Sequence, residues 1–144
     1  MFSIHDNLLY FYEKVTQKNP FYELDKKLRN FASEVRVENY KNPDFTLYRY
    51  ILEKSIFRGV RESIFVCLND DGSLEYISFG TAHREKITIT EQLIESSSQF
   101  RFCTENSKHT LYSTPVPRLY LSVMINPYGN NMYIIRLMYG DLKK

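Results

Sequence analysis

The chain lacks tryptophan altogether and holds only five glycines and five prolines in 144 residues. The glycines, Gly59, Gly72, Gly80, Gly129 and Gly140, lie too far apart to form a loop that cradles a phosphate. No Walker loop, GxGxxG, GxSxG, HExxH or EF-hand pattern occurs, so nucleotide, dinucleotide and calcium chemistry lose their usual sequence support. Cysteine is confined to Cys67 and Cys103, with no CxxC, CxxH or HxxxH spacing nearby. A metal site is therefore not expected, and nothing in the pattern calls for a cofactor. Each cysteine stands among apolar neighbours, which predicts two buried free thiols in a reducing compartment.

An excess of one charge is missing as well. Nineteen Lys and Arg face seventeen Asp and Glu, for a net charge of +2. The basic clusters, Lys26-Lys27-Arg29 and Lys143-Lys144, are short, which leaves nucleic acid open as a partner without favouring it. No apolar run approaches the ~20 residues that a membrane-crossing helix needs. Asp6 and Glu13 interrupt the opening MFSIHDNLLYFYEK, where a secretory signal would keep an unbroken apolar core. These features predict a soluble cytoplasmic protein with no membrane partner.

What is present is enough apolar surface for one core. Hydrophobic residues make up 43% of the chain and aromatics 15%, which predicts a single domain over residues 1–144. Residues 1–58 read as helical. Leu8, Phe11, Tyr12 and Val15 recur at helical spacing, Asn19-Pro20 marks a break, and Leu24, Leu28, Phe31 and Val35 form a second stripe. Asn42-Pro43-Asp44 marks another break, after which Leu47, Tyr48, Ile51 and Leu52 suggest a third helix. Across that helix, Arg49, Arg58 and Arg61 are expected to pair with Asp44, Glu53 and Glu62 on a solvated face.

From residue 63 to 139 the pattern turns to β. Ser63–Asn69 and Ser73–Phe79 flank Asp70-Asp71-Gly72, a tight-turn signal in which Gly72 should carry a positive φ. Phe100–Thr104 and His109–Ser113 read as shorter strands, and Leu119–Ile125 with Met132–Tyr139 as a long hairpin. Residues 90–98 fit either a strand or a short helix. The expected fold is α+β: N-terminal helices packed on a mostly antiparallel sheet from the C-terminal two-thirds.

Three functional readings arise from this pattern. The leading one is a non-catalytic module that docks a protein partner, of inhibitor, immunity or adaptor type. Tyr10, Phe11 and Tyr12 are consecutive, so on a helix they point in directions about 100° apart and cannot all enter one core. Tyr10 or Tyr12 with Tyr22, and Tyr128 in the loop of the last hairpin, are the candidate partner-binding residues, since tyrosine anchors protein contacts with little entropy to lose.

The second reading is a metal-independent ribonuclease. His83 and His109 supply a base and an acid near working pH, and Arg84, Arg101 or Lys108 a cation for the phosphate. In outline, helices followed by an antiparallel sheet resemble the small toxin ribonucleases, whose sites use His, Arg, Thr and Tyr. The third starts from residues 63–77, SIFVCLNDDGSLEYI, which resemble the opening hairpin of a PAS-type sensory domain. The hairpin ending in Gly140-Asp141-Leu142 resembles that family's last strands. That resemblance implies a small apolar ligand held inside the sheet.

Overall fold

The structure, a computed structural model, describes residues 11–17, 20–52, 63–81, 92, 94–105, 109–125 and 133–140. Residues 11–15 are helical, α1 spans Phe21–Phe31, and residues 94–96 form a further helical turn. The described residues also form eight strands: β1 (Ala32–Tyr40), β2 (Phe45–Leu52), β3 (Ser63–Asn69), β4 (Leu74–Thr81), β5 (Arg101–Glu105), β6 (His109–Ser113), β7 (Leu119–Ile125) and β8 (Tyr133–Tyr139). They form one antiparallel sheet in the order β1-β2-β3-β4-β8-β7-β6-β5, so the fold is α+β. Two four-stranded meanders, β1–β4 and β5–β8, thus meet where β4 pairs with β8, leaving β1 and β5 as the edges.

Strand side chains alternate between faces, so register partners show which residues share a side. Tyr50, Ile64, Phe79, Ile135 and Val123 lie in one row across five strands, and all are buried. The neighbouring row of Tyr48, Val66, Ile77, Leu137 and Leu121 continues the same apolar face. The helical residues close over it. Phe11 sets its ring 4.9 Å from that of Phe79, and Leu24 and Leu28 of α1 are fully buried. Ile94 and Phe100 join the same core, and the Tyr139 hydroxyl donates to the Val15 carbonyl at 2.6 Å.

A polar contact fixes α1 on the sheet. The buried Tyr50 hydroxyl donates to Asp25 at 2.6 Å, and Arg29 one turn later donates to both oxygens of that carboxylate at 2.9 and 3.0 Å. Burial first, and the Asp25 hydrogen bond second, hold the Tyr50 hydroxyl far above the ordinary tyrosine range. At the β3–β4 turn, Gly72 takes φ +84° and donates to the Asn69 carbonyl at 3.0 Å. Asp71 accepts from the Ser73 backbone at 2.9 Å.

The structure bears out helix at residues 11–15 and 21–31 and corrects the helical reading of residues 32–52. The helix ends at Phe31, Ala32 is extended at φ −82° and ψ 137°, and the chain runs directly into β1. Residues 47–52, expected as a third helix, belong to β2. Aromatic and β-branched residues fill FTLYRYIL and pack well on a pleated surface, and pairing on both sides outweighs its helix-like spacing. One of the expected core residues leaves the core, Phe31 at 40% exposed, while Val35 is half-buried and packs against the core's rim. Cys67 is buried as expected, but Cys103 is exposed, because every residue of the edge strand β5 faces solvent.

Two outcomes follow from these contacts. A Cβ at Gly72 meets no atom within 4 Å, so Gly72→Val should cost only the backbone term, about 1–2 kcal/mol by urea unfolding. Tyr50 is raised in the folded state, so its contribution is fully present below the ordinary tyrosine value, near pH 10, and is lost as pH rises past it. Tyr50→Phe should therefore lower stability by about 1.5–3 kcal/mol at neutral pH and flatten the loss above pH ~10.

Candidate functional site

The second face of the sheet carries a different chemistry. One cross-strand row on this second face reads Arg36, Arg49, Phe65, Ser78, Arg136, Ser122 and Leu111 from β1 to β6. Arg136 sits on β8 in the middle of the sheet, flanked in register by the buried Ser78 and Ser122. These small residues leave space beside its long side chain. Its guanidinium carbon lies 4.2 Å from the Tyr76 ring centroid, and its Nε is buried without a hydrogen-bond partner. Arg49 repeats the arrangement on β2: it lies 5.6 Å over the Phe65 ring, and its Nε approaches the buried Ser63 hydroxyl at 3.4 Å.

Among the described residues, no carboxylate forms an ion pair with Arg49 or Arg136. Of the strand carboxylates near this face, Glu34 and Glu38 lie at the β1 margin, and Glu75 of β4 stands beside Tyr76 and Cys67. Glu34 holds Arg36 at 3.1 Å, and Glu38 accepts from the Tyr40 hydroxyl, raising its pKa. An open hollow of about 380 Å3 adjoins Tyr76 and is lined by Phe45, Cys67, Asn69, Asp44 and Glu75 among others. Burial, with Glu75 adding to it, pushes the Cys67 thiol up to about 11. A half-buried arginine stacked on an aromatic ring is held in place yet keeps donors for a planar anion. The arrangement is therefore suited to receiving carboxylates. Among the described residues, no group of three His, Cys, Asp or Glu side chains could hold a metal ion.

The residues singled out from the sequence are scattered around this face or lie elsewhere. Tyr12 turns toward the core, with its ring edge-on to Phe100 at 5.2 Å and its hydroxyl donating to Gln99 at 3.2 Å. Tyr22 on α1 points outward and is 74% exposed, on the helical side of the sheet. His109 lies on the second face of β6, paired with Met124, whereas Arg101 pairs with Ser113 at the other end of that strand. Four residues of strand separate the two positions, roughly 13 Å. Tyr10, Tyr128, His83, Arg84 and Lys108 lie outside the described residues, as do Arg58 and Arg61.

Sequence reasoning missed Arg136 and gave Arg49 a salt-bridged helix face instead. The available signal was an arginine inside an apolar strand: Ile134, Ile135, Leu137 and Met138 surround Arg136, and Tyr48, Tyr50 and Ile51 surround Arg49. A polar group in such a run has to find its own partner on the sheet.

The two cysteines report on this geometry directly. At pH 8 a thiol reagent should modify Cys103 rapidly and leave Cys67 untouched until the protein is unfolded; mass spectrometry would read one adduct in the native protein and two in denaturant. Rapid double modification without denaturant would contradict the burial of Cys67. No protein-family model, curated protein or solved structure matches the chain.

Proposed function

We propose that this chain is a non-catalytic module that docks an acidic surface of a protein partner through the arginine-bearing second face of its sheet. The reading is carried by Arg49 and Arg136, each laid on an aromatic ring and each without a carboxylate among the described residues. The composition of the face supports it. Arginine, Tyr, Phe and Met recur there (Arg49, Arg136, Phe65, Tyr76, Tyr120, Met138), and no lysine occupies a strand position on it. That is the bias of protein interfaces, where aromatics, Met and Arg are enriched and Lys depleted. A free phosphate chain would be met more simply by a basic stripe, which a net charge of +2 does not supply.

The test compares the wild type with the double variant R49M/R136M, which keeps both apolar stems and removes both cations. A partner co-purified from host lysate is identified, purified and titrated against each form. The double variant should bind more than tenfold more weakly with an unchanged melting temperature, while Tyr22→Ser on the helical side binds as the wild type does. Equal affinity of the double variant, loss of binding in Tyr22→Ser alone, or capture of RNA in place of protein would each overturn this assignment.

A further inference from the structure

The two edges of the sheet are not alike. Edge strand β5 is five residues long and is interrupted by a bulge between Phe102 and Thr104, features that blunt an edge against pairing. Edge strand β1 is nine residues long, and its only irregularity lies at its start, between Ala32 and Glu34. From Glu34 to Tyr40 it is regular, paired on one side with β2, and exposed from Arg36 onward. Its charges alternate in sign along one face, Glu34, Arg36 and Glu38, while the other face carries Val35 and the 48% exposed Val37.

Same-sign charges along such a strand would repel a second copy. Alternating charges do the opposite in particular registers. When two copies pair antiparallel about a two-fold axis normal to the sheet, residue i meets residue j with a constant sum, and the axis passes through one residue. Centred on Arg36, the pairing sets Arg36 against its own copy and Glu34 against Glu38, all like charges. Centred on Glu38, it sets Glu38 against itself. Centred on Val37, it places Arg36 opposite Glu38 twice, Val37 against Val37, Val35 opposite Asn39 and Glu34 opposite Tyr40. That register uses only the regular part of the strand, whereas one centred on Val35 draws in the irregular start at Ala32.

We infer that β1 is a self-pairing edge: two copies of this chain join antiparallel through β1, centred on Val37, into one continuous sixteen-stranded sheet. The partner is a second copy because the charge pattern of the strand is complementary to its own reversal. The proposal is independent of the arginine-lined face, which points away from the plane of this contact.

Sedimentation of the wild-type protein should show a concentration-dependent monomer–dimer equilibrium. Glu38→Arg sets like charges opposite Arg36 and should weaken the dimer more than tenfold, and the swap R36E/E38R should restore it. In a Cys103→Ser background, Val37→Cys should cross-link to its own copy on mild oxidation, since directly opposed residues hold Cα atoms about 4.5–5.5 Å apart, within disulfide range. Val35→Cys, which faces Asn39, should not. A wild type that stays monomeric to about 1 mM would overturn the proposal, as would a dimer indifferent to Glu38→Arg or one cross-linked through Val35→Cys.

Discussion

The apolar layer on one face of the sheet is the interaction on which the other features depend. Tyr50, Ile64, Phe79, Ile135 and Val123 belong to five different strands yet form one row. Each strand alternates its side chains, so a slip of one residue in any pair would turn that strand's apolar set toward solvent. The helices then have a single surface on which to bury Phe11, Leu24, Leu28 and Ile94. Asp25 is drawn into position by the same burial, because the Tyr50 hydroxyl beneath α1 needs an acceptor once water is excluded.

The opposite face obeys a different rule. Its buried polar residues, Ser63, Ser78 and Ser122, are small, and Arg49 and Arg136 lie over neighbouring aromatic rings. Stacking on Phe65 and Tyr76 reduces the cost of holding Arg49 and Arg136 half out of water, since the aromatic faces replace part of their hydration. An isolated guanidinium on a central strand would otherwise be hard to explain as scaffold. A surface that keeps two such groups ordered leaves them less conformational freedom to lose in any contact.

The β-rich part of the fold was legible because its signals are local. The Asp71-Gly72 pair marks the β3–β4 turn, and β6 and β7 follow their expected bounds residue for residue. The region before it was misread for a specific reason. Val35 continues the Leu24, Leu28, Phe31 spacing by coincidence, while the alternation of ASEVRVENY carries the true period. In β2 that alternation is blurred, because Phe45, Leu47 and Ile51 are apolar on the second face too. Cys103 shows a related limit: apolar neighbours say nothing about burial when the strand lies at an edge. The arginine face was illegible without the pairing, since Arg49 and Arg136 fall into one row only after β8 is inserted beside β4.

That insertion also orders events along the chain in time. The β1–β4 meander closes through short connections, but β4 gains its second neighbour from residues about 50 to 60 positions further on. Until β8 arrives, β4 is an open edge carrying Ile77 and Phe79, a template on which foreign strands can add. Folding of the whole sheet is therefore paced by its most distant pairing and is expected to be slow for the chain's size. A nascent or truncated chain that ends before β8 keeps the apolar side chains of β4 at a margin, and its hazard is aggregation.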